Sequence, residues 1–125
     1  MINAKETIYN ILSDERLTSQ VTDIFDAYPT TIENFPCIIF IDSGQTDIEF
    51  ADNQPLGVEV EITIHIFTKT LDGYLTTSQI GIIVDEIMKE NYFICNSNME
   101  VPDVDDNVRH RIMVFRNNFF SEYGN

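Results

Sequence analysis

The side chains with the greatest capacity for chemistry are carboxylates. The stretch Glu100-Val101-Pro102-Asp103-Val104-Asp105-Asp106-Asn107 holds four of them in eight positions, and oxygen ligands of this kind suit Ca2+ or Mg2+. It lacks, however, the Asp-x-Asp-x-Asp-Gly spacing and closing Glu with which an EF-hand wraps its ion. It reads as a solvated hairpin tip held apart by its own charge. His65 and His110 stand among polar and charged residues of strand-like stretches. A hydrolytic triad would need a nucleophile within reach of one of them, and none of Ser13, Ser43, Ser78, Ser97 and Ser121 sits in a Gly-x-Ser-x-Gly elbow. The chain has no Trp on which a sugar could stack and no glycine-rich phosphate loop. A two-carboxylate hydrolase stays only as an alternative, because so many acidic residues pair by accident. No catalytic residue, metal ligand or cofactor is assigned.

Arg109, Arg111 and Arg116 gather three of the seven Lys and Arg residues into one short stretch directly after the acidic loop. Two partners are open to them. Arg109 and Arg111 could face Asp103, Asp105 or Asp106 of a neighbouring copy, and head-to-tail contacts of that kind close into rings. They could equally pair within the chain with Glu59 and Glu61, which contributes little if exposed. The terminal Phe119-Phe120-Ser121-Glu122-Tyr123 adds three aromatics that want a partner, most simply a neighbouring subunit.

With 21 acidic residues against 7 Lys and Arg in 125, the net charge is −14, which argues against wrapping a phosphate backbone. The acid either keeps a monomer soluble or forms a wall of like charge that a passing polyanion cannot stick to. Cys37 and Cys95 lie in apolar runs without ligand spacing and read as buried, reduced thiols of a cytosolic protein. No signal peptide and no membrane span is expected.

These side chains are positioned by one stretch of unambiguous period. From Gly57 to Lys69, Val58, Val60, Ile62, Ile64 and Ile66 alternate with Glu59, Glu61, Thr63, His65 and Phe67, which predicts a long central strand with one buried face. Its cover is an amphipathic helix over Thr76 to Asn91, capped by Thr77 or Ser78, with Ile80, Ile83, Val84, Ile87 and Met88 inward and Gly81 at a close approach. A first helix runs from Asn3 to Leu12, and a short turn follows over Arg16 to Val21. After a loop from Ala27 to Pro36, Cys37 to Ile41 reads as a strand covered on both faces, and Asp42-Ser43-Gly44 breaks it. Thr46 to Phe50 forms another strand, and a wide turn over Ala51 to Gly57 completes an antiparallel meander. Tyr92 to Asn96 and Val108 to about Phe119 are further strands. The expectation is a single α+β domain over residues 1–125, a mostly antiparallel sheet of four to five strands against two helices.

The order of these segments resembles the tail-completion proteins of long-tailed bacteriophages, also called tail terminators or tail-to-head joining proteins. The resemblance spans nearly the whole chain. It runs through Ile8-Tyr9-Asn10-Ile11-Leu12, Phe35-Pro36-Cys37-Ile38-Ile39-Phe40, Ala51-Asp52-Asn53 and Val60-Glu61-Ile62-Thr63-Ile64-His65-Ile66-Phe67, then through Ile87-Met88-Lys89-Glu90-Asn91-Tyr92-Phe93 and Arg109-His110-Arg111-Ile112-Met113-Val114-Phe115-Arg116. It implies an α+β subunit of a virion, made in the bacterial host cytoplasm, that assembles as a homo-hexameric ring at the head–tail junction. Its partners would be the tail tube protein and a head–tail connector protein, and DNA would pass through without specific binding. It carries over no active-site residue and no cofactor. Asp47, Glu49, Glu59 and Glu61 become candidates for an acidic bore or for subunit contacts, and Asp103, Asp105, Asp106, Arg109, Arg111, Arg116, Phe119 and Phe120 for a subunit interface. The alternatives are another head–tail connector component or, in a different class, a cytosolic binding or regulatory module.

Overall fold

The alternating stretch lies in the middle of the molecule, as its period requires. A computed structural model describes residues 2–51, 54–71, 73–102 and 107–120. In chain order the elements are α1 (Ala4–Leu12), α2 (Glu15–Thr18), β1 (Asp23–Phe25), β2 (Cys37–Ala51), β3 (Gln54–Lys69), α3 (Thr77–Glu90), β4 (Ile94–Val101) and β5 (Val108–Phe120). The five strands form one sheet in the order β1-β2-β3-β5-β4. All pairings are antiparallel except the short parallel one between β1 and β2. The expected α+β class with a mostly antiparallel sheet is what the chain adopts.

The helices cover one face. Val60, Ile62, Ile64 and Ile66 of β3 are fully buried, and they share a core with Ile8 and Leu12 of α1, Leu17 of α2, and Ile80, Val84, Ile87 and Met88 of α3. Burying one such side chain contributes about 1.5–3 kcal/mol, so this row outweighs any single polar contact in the fold. α3 is capped by Thr76 and not by Thr77 or Ser78. Thr76 Oγ1 accepts from Gln79 N–H while Gln79 Oε1 accepts from Thr76 N–H, a capping box, and this frees Thr77 to be buried one position further on. Gly81 is buried where the side chain of Arg111 crosses the helix. A Cβ there would lie 3.3 Å from Arg111 Cδ and 3.4 Å from Met113 Sδ.

The elements differ from the sequence expectation at several points: α2 makes a third helix, β1 is an added strand, and β4 runs on to Val101 where the strand was expected to stop at Asn96. Asp42-Ser43-Gly44 does not end a strand. It is a bulge within the single strand β2, where the register against β3 slips between Asp42 and Gly44, so two long strands replace the three-stranded meander. Their ladder reaches Ala51↔Gln54, which makes the wide turn over 51–57 narrower than expected; Asp52 and Asn53 themselves lie outside the described residues. Tyr92 is not in a strand. It follows the Asn91 C-cap with φ +69°, and Phe93 N–H returns to Met88 O at 3.0 Å to close α3, leaving β4 to begin at Ile94.

Gly81→Ala should be near neutral, because the helix gains up to about 1 kcal/mol of propensity while two flexible side chains give way. Gly81→Leu should destabilise by about 1–3 kcal/mol through overpacking against Arg111 and Met113. Urea denaturation of the two variants reads the difference.

Candidate functional site

Residues of β3 that alternate with the buried row face away from the helices, and this second face holds the unusual chemistry. Register places Cys37 beside Phe67, Ile39 beside His65, and His110 beside Phe67 on the other side. Cys37 and Ile39 are fully buried although no helix lies over them. The connection between β1 and β2 comes back across this end of the sheet. Tyr28 Oη lies 2.9 Å from His65 Nε2, and Lys69 Nζ sits 5.0 Å from the centre of the Phe35 ring. Phe35 and Pro36 carbonyls accept from the Thr22 hydroxyl and N–H at 3.0 and 2.8 Å, tying the connection to the start of β1.

His65 is the hub. Its Nδ1 is 2.8 Å from His110 Nε2, its ring meets that of Tyr28 at 5.2 Å, and the His110 ring stacks on Phe67 at 4.2 Å between centroids. Both nitrogens of His65 are therefore used within the chain, one accepting and the other donating when the ring is neutral. Burial, with the neighbouring His110 ring as the second cause, lowers its pKa to about 4. Burial also pushes the Cys37 thiol up to about 11, with Asp23 adding to the shift, which suits an inert thiol. Cys95 is free too, but only half-buried, so the expectation of two buried thiols holds for Cys37 alone. The arrangement works as a clamp that pins the 26–36 connection onto the sheet. Tyr28 carries no signal in the sequence, since it lies in a loop 37 positions from His65. The histidine pair would follow from the β3–β5 register had that been known.

The four candidate bore carboxylates do not form one row. Glu59 and Glu61 lie on the second face, but the bulge shifts the phase of β2, so that Asp47 pairs with Val58 on the helix side while Thr46 pairs with Glu59. Glu49 is in β2, described by its backbone only. Ser43, in the bulge, donates to the Glu61 carbonyl at 3.0 Å and lies 3.3 Å from its carboxylate. The arginines divide as well. Arg116 is on the second face, 3.9 Å from Glu59. Arg109 and Arg111 are on the helix side, opposite Thr68 and Ile66, so neither pairs with Glu59 or Glu61. Arg111 instead donates to Asn98 Oδ1 at 2.8 Å and to Thr77 Oγ1 at 3.3 Å, and the Thr77 hydroxyl donates to Glu100 at 3.0 Å. Phe119 is half-buried against Phe93, ring centroids 6.0 Å apart. Phe120 closes β5, described by its backbone only. Asp103, Asp105, Asp106 and Tyr123 lie outside the described residues. Among the described residues no three or more His, Cys, Asp or Glu side chains converge as a metal site, and no helix is long and apolar enough to cross a membrane.

His65 binds its proton less readily folded, at about pH 4, than unfolded, at 6.5. The folded chain therefore holds fewer protons between those values, and stability should be full above pH 6.5 and fall as pH drops toward 4. Discounted for the half-exposed ring, the loss should be about 1–2 kcal/mol. His65→Gln should flatten that part of the stability–pH curve in chemical denaturation, and an unchanged curve would remove the assignment.

In comparisons with known proteins, no family model matches this chain and no curated relative matches it at a significant level.

Proposed function

We propose that the chain is a non-enzymatic structural subunit of a long-tailed bacteriophage, six copies of which close into a ring that caps the tail tube and joins it to the head connector. The observation that carries this reading is a sheet with two open edges. Among the described residues β1 pairs only with Cys37–Ile39, and β2 has no strand partner on its outer side from Phe40 to Ala51. At the other edge β4 is likewise unpaired on its outer side, and it carries the exposed Ile94 and Met99. Unpaired edges recruit other strands. A subunit with different open edges on opposite sides joins its copies head-to-tail, the contact that closes into rings. The α+β architecture agrees with the one the tail-terminator resemblance implies, and the charge of −14 suits a passage that packaged DNA crosses without adhering. In this reading the ring sits at the head–tail junction of the virion, after synthesis in the host cytoplasm.

Particle mass in solution, alone and with tail tubes, tests assembly. The wild-type chain should form a particle of six copies. The double variant Ile94→Lys with Met99→Lys should stay folded but monomeric, and a wild-type chain that remains monomeric even on tail tubes would overturn the reading. Charge is tested separately: Glu59→Lys with Glu61→Lys should slow DNA delivery from assembled particles, and unchanged delivery would remove the electrostatic part.

A further inference from the structure

Among the described residues Arg111 forms no ion pair, in a chain that carries 21 acids. Arg16 pairs with Asp14 and Glu90, Lys89 with Asp85, and Arg116 with Glu59. The half-buried Arg111 donates only to neutral groups, from Nη1 to Asn98 Oδ1 at 2.8 Å and from Nε to Thr77 Oγ1 at 3.3 Å, and its Nη2 has no partner among the described residues. A guanidinium drawn part-way out of water and met by neutral acceptors alone is incompletely compensated.

Arg111 lines a small cleft of about 90 Å3 between α3 and β4, together with Ser78, Gly81, Ile82, Asp85 and Asn98. The Ser78 hydroxyl and Asn98 Nδ2 are further donors without a partner among the described residues. Asp85, the acid in this lining, is held by Lys89 at 2.8 Å. The cleft therefore has room and unused donors for one carboxylate, and it lies beside the last strand of the sheet.

A suitable acid stands at the opposite edge. On the free part of β2 the residues that face the helix side are Asp42, Gln45 and Asp47. Asp42 already accepts from the Gly44 N–H at 3.3 Å and from Gln45 Nε2 at 2.8 Å. Asp47 is exposed and has no partner among the described residues. The pairings from β2 through β3 and β5 to β4 are all antiparallel, so β2 and β4 run in opposite directions. A copy added at β4 in the same orientation lays its β2 antiparallel to that strand, helix-side row beside helix-side row. Asn98, opposite Met113, belongs to that row, as does Asp47, opposite Val58. Residues directly opposite each other in such a pair have Cβ atoms about 5 Å apart, which brings a carboxylate facing Asn98 to the guanidinium that Asn98 already holds.

We propose that the cleft at Arg111 receives Asp47 of a second copy of this chain, whose β2 adds along β4 with Asp47 opposite Asn98. The contact rests on the ring reading and gives it a register: one edge supplies the acid and the other the cation, so each copy can repeat the contact head-to-tail.

Sedimentation of the full chain, alone and on tail tubes, reads the contact through a charge swap. Asp47 is exposed, and position 78 lies in the first turn of α3, where the helix dipole favours an acid, so neither change should lower the melting temperature. Asp47→Lys sets a cation against Arg111, and Ser78→Asp sets an acid against Asp47. Each should weaken association by about tenfold or more, and the double variant should recover most of that loss. Six-copy particles indifferent to both single changes, or losses that the double variant does not recover, would overturn the contact and leave the ring. Assemblies of another copy number that obey the swap would keep the contact and overturn the ring. A wild-type chain monomeric even on tail tubes would overturn both.

Discussion

Burial of a single row of side chains decides where everything else can be. With Val60, Ile62, Ile64 and Ile66 fully enclosed, the helices must lie on their side of the sheet, and the alternate residues Glu59, Glu61, Thr63, His65 and Phe67 are obliged to face the other way. A register slip of one residue would bury two carboxylates and expose the isoleucines. That cost exceeds every hydrogen bond on the second face, so the face takes whatever side chains the row leaves it. The 26–36 connection then covers part of it, which explains how Cys37 and Ile39 become as buried as Ile38 and Phe40.

The bulge at Asp42–Gly44 is the one place where that obligation is suspended for β2. Before it, Ile38 and Phe40 face the helices with Ile66 and Ile64; after it, Gln45 and Asp47 do, with Val60 and Val58. A strand that kept its phase would have turned Thr46 toward the helices and Gln45 away. Instead Gln45 reaches the start of α1, accepting from Ile2 N–H at 3.0 Å and donating to Ile2 O at 3.1 Å. The extra residue, Ser43, is used to fasten the bulge to Glu61 and to accept from the Thr63 hydroxyl at 3.0 Å. Bulges of this kind re-aim side chains at a point in a strand where pairing continues.

Which parts were legible in the sequence follows from the range of the interactions. The strand Gly57 to Lys69, the helix over Thr76 to Asn91 with Ile82 turned out, and the double burial of Cys37 to Phe40 are written in periodicity, which is local. Gly81 was legible as a close approach but not its cause, because Arg111 lies 30 residues on and is brought there by β5. Asp42-Ser43-Gly44 misled because turn-forming residues and a bulge have the same composition; only the cross-strand register tells them apart. The candidate carboxylates and arginines looked like shared surfaces because sequence adjacency hides the alternation of faces and the shift at the bulge. The clamp of Tyr28, His65 and His110 joins three segments through ring contacts, and no spacing rule encodes it.

Strong like charge and open sheet edges look contradictory in one molecule, since the first opposes association and the second invites it. Their ranges reconcile them. Exposed charges separated by more than about 8 Å are largely screened at physiological ionic strength, whereas strand pairing acts at about 3 Å and only in one relative orientation. Encounters that bring copies together in a wrong orientation gain no ladder and meet only repulsion. An encounter that aligns β4 with the free part of β2 gains a ladder of directional bonds, with Ile94 and Met99 removed from water. In the proposed ring, acidity of this kind would act as a filter on association and not as a bar to it. A monomer that needed only solubility would be expected to cover or shorten these edges, and among the described residues no strand pairs with Phe40 to Ala51 on the outer side.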